Sequence, residues 1–319
     1  MKVAVIGRGF GSYAMAPAYE AVGCEVEIVP SRDVEAVLAA CQSADLVSIH
    51  SPPFQHLDHV LAAVGAGKAV LCDKPFGRNA DDARAMADAA EQAGVPHFLN
   101  FEFRASPARR KMRELIADDA IGTPRHAHYT SFTSYMAKRD YGWLNDAALG
   151  GGWLGAVGSH IIDAMRWQLG SEMAACGGVS RIDVPLRGDG QGGQVACSAE
   201  DAFAVWLAFE SGATATIEAA SAGASTLPQE MTILGSDGTI RVTEDNTVTL
   251  TRGREAAETF DITPPPDAPA WPALRVWLGE VVAAAREGRC VGPDFSDGLA
   301  TAIVLQELKR RVVKAALRG

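Results

Sequence analysis

The sequence predicts an α/β chain of two domains: an N-terminal doubly wound parallel sheet, then a C-terminal domain with a mainly antiparallel sheet flanked by helices. Three observations carry this. Short apolar runs alternate with helix-length segments through the first third, their connections are short, and after about Gly122 the apolar runs lengthen and are punctuated by hairpin-type turns. Strand and helix alternating over short links requires parallel strands joined by crossover helices.

In order, the predicted strands of the first domain are Val3–Ile6, Val26–Val29, Leu46–Ile49, Ala69–Cys72 and Pro96–Asn100, all short and largely apolar. Helices are predicted over Asp33–Cys41, Phe54–Ala66, Asn79–Ala93 and Pro107–Asp118. The change of pattern places the domain boundary between residues 121 and 122, giving domains 1–121 and 122–319. Beyond it, β-like stretches run over Pro124–Tyr135, Ala202–Glu210, Ala213–Ala220, Glu230–Leu234 and Thr239–Val242, with Glu210-Ser211-Gly212 and Ser236-Asp237-Gly238 as turns. The Gly-rich Arg187–Gly193 and Pro-rich Thr263–Pro272 read as surface connections, and a last helix as Phe295 to about Leu317.

With 319 residues, 48% hydrophobic and 21% charged, the chain has enough apolar material for two cores. Its net charge of -10 argues against general binding to nucleic acid or an anionic membrane, both of which call for a basic surface. Six scattered cysteines without a CxxC pair read as reduced, buried thiols of a cytoplasmic protein. Lys2–Ile6 begins directly as a strand, and no signal-peptide pattern or run of about 20 apolar residues is present.

The chemistry concentrates at few places. Val3–Ile6 leads into Gly7-Arg8-Gly9-Phe10-Gly11-Ser12. In a dinucleotide fold Gly7 permits the tight turn and Gly9 admits the pyrophosphate to the backbone, while Ser12 stands at the third glycine position. Pro17 is expected to kink or restart the helix that follows. After the second strand, where an acidic residue would receive the ribose hydroxyls of NAD, the chain reads Ser31-Arg32-Asp33. Ser31 and Arg32 suit a 2'-phosphate, which favours NADP over NAD; the other reading makes Arg32 a solvated side chain and Asp33 an N-cap or ribose ligand.

Asp73-Lys74-Pro75 ends the fourth apolar run, and Gly150-Gly151-Gly152 begins the segment that leads to His160 in the first turns of a helix. Together with Ser51-Pro52-Pro53-Phe54-Gln55-His56, Pro293-Asp294 and Asp297-Gly298, these motifs resemble the glucose-fructose oxidoreductase, inositol dehydrogenase and rhizopine-catabolism (Gfo/Idh/MocA) family over essentially the whole chain. The resemblance implies hydride transfer between NAD or NADP and a carbohydrate-like hydroxyl or carbonyl. It also implies an N-terminal Rossmann domain and a C-terminal α/β domain whose open, mainly antiparallel sheet joins subunits into homodimers or homotetramers, with substrate bound by the C-terminal domain.

Carried over by residue, Lys74 is the proton-handling lysine, Asp73 replaces the usual glutamate before it, and His160 is the catalytic histidine. Gly7, Arg8, Gly9, Phe10, Gly11, Ser31, Arg32, Ser51, Pro52, Pro53, His56, Asp73 and Lys74 are the expected cofactor residues. Four residues before His160, where the family often has an aspartate, stands Ala156; on a helix that aspartate would share a face with the imidazole and orient it. Glu102 is a candidate replacement orienter or substrate ligand, or else a salt-bridge partner of Arg104 or Arg109. Asn100, Trp143, Trp153 and Asp163 complete the expected substrate side, with core packing the alternative for Trp153 and a structural contact for Asp163. The pairs His126/His128 and His56/His59 lack further ligands, so no metal is expected. Two rival functions stay open: a non-catalytic NADP-binding regulator on the same fold, which Ala156 favours, and a reductase of a non-sugar carbonyl or imine.

Overall fold

A computed structural model describes residues 1–262 and 272–315. The chain divides into two compact units: the first holds residues 1–105 and the returning stretch from the helix Pro272–Arg286 to Ile303, the second the residues from Ser106 and again from Val304.

In the first unit β1 (Lys2–Ile6), α1 (Ala16–Ala21), β2 (Glu25–Val29), α2 (Val34–Ser43), β3 (Leu46–Ile49), α3 (His56–Gly65), β4 (Ala69–Cys72), α4 (Ala80–Ala93) and β5 (His97–Leu99) alternate as expected. The strands form one parallel sheet in the order β2-β1-β3-β4-β5. Successive side chains serve opposite faces: Ala4 and Ile6 join the core that contains Val47 and Val70, while Val3 and Val5 join the one that contains Tyr19, Leu46 and Leu71. Each such fully buried valine, leucine or isoleucine contributes roughly 1.5–3 kcal/mol. Because the strand order reverses between β1 and β3, the chain ends of both open on the switch point where doubly wound sheets bind ligands.

Caps mark the helix starts. Asp33 accepts from the Ala36 N–H at 3.0 Å before α2, and Asn79 accepts from Asp82 at 2.8 Å before α4. The segment after the first glycines opens as a wide π-type turn, Gly11–Met15, before α1 takes over with Pro17 in its first turn. Pro17 has no N–H to return to Tyr13, so ordinary α-helical bonding cannot run through it. The helix Pro272–Arg286, which the sequence reading left unassigned, buries Leu274, Trp277, Leu278 and Val281 against the first core. Leu99 donates to the Pro293 carbonyl at 2.9 Å, so the returning chain covers the free edge of β5.

The second unit comprises α5 (Pro107–Ala117), β6 (Pro124–Phe132), α6 (Ser159–Leu169), β7 (Met173–Arg181), the hairpin β8 (Leu186–Gly188) and β9 (Gln194–Ala196), then β10 (Ala202–Phe209), β11 (Thr214–Ala220), β12 (Glu230–Gly235), β13 (Gly238–Thr243), β14 (Thr247–Arg252), β15 (Glu258–Asp261) and β16 (Val312–Lys314). One sheet runs β15-β14-β13-β12-β6-β11-β10-β7-β16, in which β6–β11 and β7–β16 are parallel and the other pairs antiparallel. Alternate residues of β6 and β11 are buried, so one face carries the core and Val179 and Trp206 are exposed.

Several boundaries differ from the sequence reading. The compact units do not part at 121/122: α5 lies with the second unit, where it packs on β13, β14 and α6 and where Arg109 pairs with Asp245 at 2.8 Å. β6 stops at Phe132, since the chain turns there and Met136 N–H reaches the Ser221 carbonyl. Arg187–Gly193 closes β8 and supplies the exposed turn of the β8–β9 hairpin, a surface connection as expected, although Arg187 itself is buried against the Met136 and Arg139 carbonyls and Asp201. The last helix ends at Arg311, and the β-branched Val312-Val313 adds an edge strand to β7. Cys24, Cys41, Cys72 and Cys176 are buried thiols, but Cys197 is half-buried and Cys290 exposed. Residues 263–271 of the Pro-rich stretch, and Leu317, lie outside the described residues. Among the described residues no helix is long and apolar enough to cross a membrane.

Candidate active site

In the first unit the expected residues gather at the carboxyl ends of β1 to β5. Gly7 donates to the Val29 carbonyl at 2.9 Å and has φ +123°, and a Cβ there would lie 2.5 Å from the His50 carbonyl oxygen. Only glycine fits. Gly9 has open space where its Cβ would be, and Arg8 and Gly9 are exposed while Phe10 is half-buried. At Gly11 a Cβ would meet Val5 Cγ1 at 2.9 Å, so Gly11 performs the close helix-to-strand packing that the sequence reading gave to Ser12. An exposed glycine at the switch point, with open space where its side chain would be, fits the pyrophosphate of a dinucleotide.

Around the second and third strand ends the chain is pinned from below. His59 Nε2 and Gln55 Nε2 each meet the Ser31 carbonyl at 3.1 Å, Asp33 is engaged as the α2 cap, and Arg32 is exposed. Ser51 is buried between two histidines: its hydroxyl meets His59 Nδ1 at 3.0 Å and its carbonyl accepts from His56 Nε2 at 2.7 Å. Burial drives the His56 pKa down to about 4, against the opposing Ser51 hydrogen bond, and also lowers His59, so both brace the Pro52-Pro53 turn as neutral rings near pH 7.

The fourth strand ends in a dense polar knot. Asp73 Oδ1 accepts from the Lys74 backbone N–H at 2.9 Å and from Asn100 Nδ2 at 3.2 Å, while Oδ2 meets His50 Nδ1 at 3.1 Å. His50 Nε2 lies 2.7 Å from Ser48 Oγ, which is 3.0 Å from the Tyr19 hydroxyl. Burial alone would raise the Asp73 carboxyl, but the His50 hydrogen bond and charge, with Lys74 and His56, hold it well below the carboxylate range. Asn100 is fully buried with Oδ1 lacking a hydrogen-bond partner among the described residues, Lys74 is half-buried, and half-buried Glu102 opens the turn Glu102–Ala105. Arg104 forks onto Asp297 at 3.1 and 2.7 Å and Arg109 pairs with Asp245.

The second unit holds the histidine helix. Gly150 is left-handed at φ +81°, Gly152 at +116°, and a Cβ on Gly151 would strike the Trp143 carbonyl at 2.4 Å. Glu200 closes this run: its carbonyl accepts from Trp153 N at 2.8 Å and its Oε1 from Leu154 N at 3.1 Å. A π-type turn, Leu154–Gly158, then feeds α6, where His160 is the second residue and is buried. Asp163 is buried 3.7 Å from Arg166, which also forks onto Glu172. Trp153 packs on Tyr135 at 6.0 Å between ring centres, with its indole Nε1 buried and without a hydrogen-bond partner among the described residues, and Trp143 is half-buried.

The sequence reading missed His50, Ser48, Tyr19 and Glu200. A weak signal existed for two: Ser48 is the one polar residue of an apolar strand, and His50 is the first residue past its end.

Residues 14–101 match the model of an oxidoreductase family with an NAD-binding Rossmann fold, and residues 109–241 that of the Gfo/Idh/MocA C-terminal domain. The chain is 30% identical over 260 residues to D-apiose dehydrogenase of Paraburkholderia graminis, a match spanning 76% of this chain and 63% of that protein's length. It is 26% identical over 297 residues to levoglucosan dehydrogenase of Pseudarthrobacter phenanthrenivorans, covering 81% and 75% respectively. Its fold superposes on a levoglucosan dehydrogenase solved with NADH and levoglucosan at a TM-score of 0.89, covering 98% of this chain and 96% of that one at 21% identity. With both halves matched in order by the family's own domains, the chain belongs to the Gfo/Idh/MocA oxidoreductase family.

Proposed function

We propose that this protein is a nicotinamide-dependent dehydrogenase or reductase of a carbohydrate-like small molecule, in which Lys74 and His160 handle the proton. The observation that carries this is the Asp73 knot, which fixes a half-buried lysine at the carboxyl end of β4 beside the glycine turn. The sugar dehydrogenases named above support the substrate class.

When bound, the nicotinamide accepts or donates the hydride. In oxidation His160 takes the substrate hydroxyl proton on a ring nitrogen, while Lys74 hydrogen-bonds the same oxygen and stabilises its developing negative charge. Reduction reverses these roles. With alanine at position 156, no carboxylate one turn earlier orients the imidazole, which places more of the proton transfer on Lys74. Gly7 to Gly11 and Ser51 to Pro53 would hold the dinucleotide, and exposed Arg32 with Ser31 favours NADP through its 2'-phosphate. Half-buried Glu102 and Trp143 are assigned to the substrate; Asn100 serves Asp73, Asp163 its ion pair with Arg166, and Trp153 its packing on Tyr135. The open sheet face bearing Val179 and Trp206 is assigned to homodimer or homotetramer contacts.

The test is turnover of polyols, aldoses, sugar acids and keto-sugars with NADP or NAD, followed by nicotinamide absorbance, in wild type and Lys74→Ala. Lys74→Ala should lower kcat by roughly a hundredfold or more. A change confined to cofactor affinity would remove Lys74 from the chemistry, and cofactor binding without turnover across the panel would favour a regulator.

A further inference from the structure

We infer that His50 is a positioning residue for Lys74, acting through the Asp73 carboxylate. This rests on the reading of Lys74 as a proton-handling group. An ionised carboxylate only accepts hydrogen bonds, so the proton in the 3.1 Å contact between Asp73 Oδ2 and His50 belongs to Nδ1. On the other side of the ring Nε2 lies 2.7 Å from Ser48 Oγ, which is 3.0 Å from the Tyr19 hydroxyl. The Asp73, His50, Ser48 and Tyr19 side chains are thus joined each to the next.

The imidazole does not reach a substrate itself, because its side chain is fully buried. Nor is the chain a proton exit: it ends at a fully buried tyrosine hydroxyl in the core beneath the sheet. What remains is mechanical. With Oδ2 tethered by His50, Oδ1 is aimed at the Lys74 N–H and at Asn100, so the lysine leaves β4 in one direction. The same histidine supports the glycine turn. Its carbonyl sits where a Gly7 side chain would be, its Cβ is 3.4 Å from the Cβ position of Gly11, and the Phe10 ring meets it edge-on at 6.1 Å. One residue therefore ties the predicted dinucleotide loop to the anchor of the predicted acid.

The two ring nitrogens can be tested separately. In His50→Asn the amide nitrogen falls near Nδ1 and keeps the donor to Asp73, whereas in His50→Gln the amide group, which can donate or accept, falls near Nε2 and keeps Ser48 but abandons Asp73. We expect the Asn variant to retain most of kcat, and the Gln variant to lose about tenfold or more with substrate KM and cofactor Kd little changed. Equal kcat in the two variants, or a loss expressed only in cofactor affinity, would overturn the inference. A readout independent of turnover, and of whether the Gln variant folds, is the proton spectrum of the wild-type protein: a downfield, exchange-protected His50 Nδ1–H should be present and should vanish in Asp73→Ala. Its absence from wild type would also overturn the inference. If Lys74→Ala keeps full turnover, the reading of Lys74 has failed instead; if Lys74→Ala is inactive while His50→Gln is not, the positioning role alone has failed.

Discussion

Replacing Gly152 with alanine tests how the histidine helix is held. Gly152 has φ +116°, and a Cβ there would lie 2.3 Å from Glu200 Oε1 and 2.7 Å from its Cδ. The carboxylate must withdraw by roughly 1 Å, which takes the 3.1 Å bond from Leu154 N out of hydrogen-bond range. A side chain at positive φ costs about 1–2 kcal/mol. Loss of a buried bond to a carboxyl group adds about 1–3 kcal/mol. Urea unfolding of Gly152→Ala should thus show a destabilisation of about 2–5 kcal/mol. In a Glu200→Ala background the same substitution should cost only the backbone part, about 1–2 kcal/mol. Turnover should fall with the first change, since Leu154 opens the turn that delivers His160. If Gly152→Ala costs the same in both backgrounds to within about 0.5 kcal/mol, Glu200 is not what braces the glycine run.

Two further outcomes follow. Burial raises the Glu200 carboxyl above its ordinary value, against the Leu154 hydrogen bond and the charges of Lys309 and Lys314. A raised folded-state pKa gives stability that is fully present below the unfolded value of about 4.3 and is lost as pH rises through the folded one. Glu200→Gln, whose amide is neutral at every pH, should lack that decline, and parallel stability-versus-pH curves for the two proteins would refute it. Arg32→Ala should weaken NADP binding far more than NAD binding in a fluorescence titration, because only the former offers a 2'-phosphate to the guanidinium; equal losses would return Arg32 to the solvent.

The parallel sheet was legible because short, largely apolar runs such as β1, β3 and β4 alternate with helix-length segments, and β3 and β4 begin and end where the residue pattern says. Periodicity shows that α5 has an apolar face, but not which sheet that face covers, and so the boundary moved from 121/122. β7 was invisible for a local reason: Ala174-Ala175-Cys176-Gly177-Gly178 has little β propensity, and its strand exists because β10 and β16 pair with it on both sides. The return of the helix Pro272–Arg286 to the first core is a long-range contact with no local sign. In the site, Gly7 and Asp73 were readable from their places at strand ends. His50 and Glu200 act on residues 23 and 46 positions away, and no spacing rule reports that.

Lys74 and His160 are proposed to act on a single substrate oxygen. A crystal structure with bound dinucleotide and a polyol that the protein turns over measures this directly. Lys74 Nζ and a His160 ring nitrogen should each lie about 2.6–3.2 Å from the same substrate oxygen, or be joined to it by one water. Either group lying beyond that reach while the reacting carbon faces the nicotinamide would contradict the proposed division of labour.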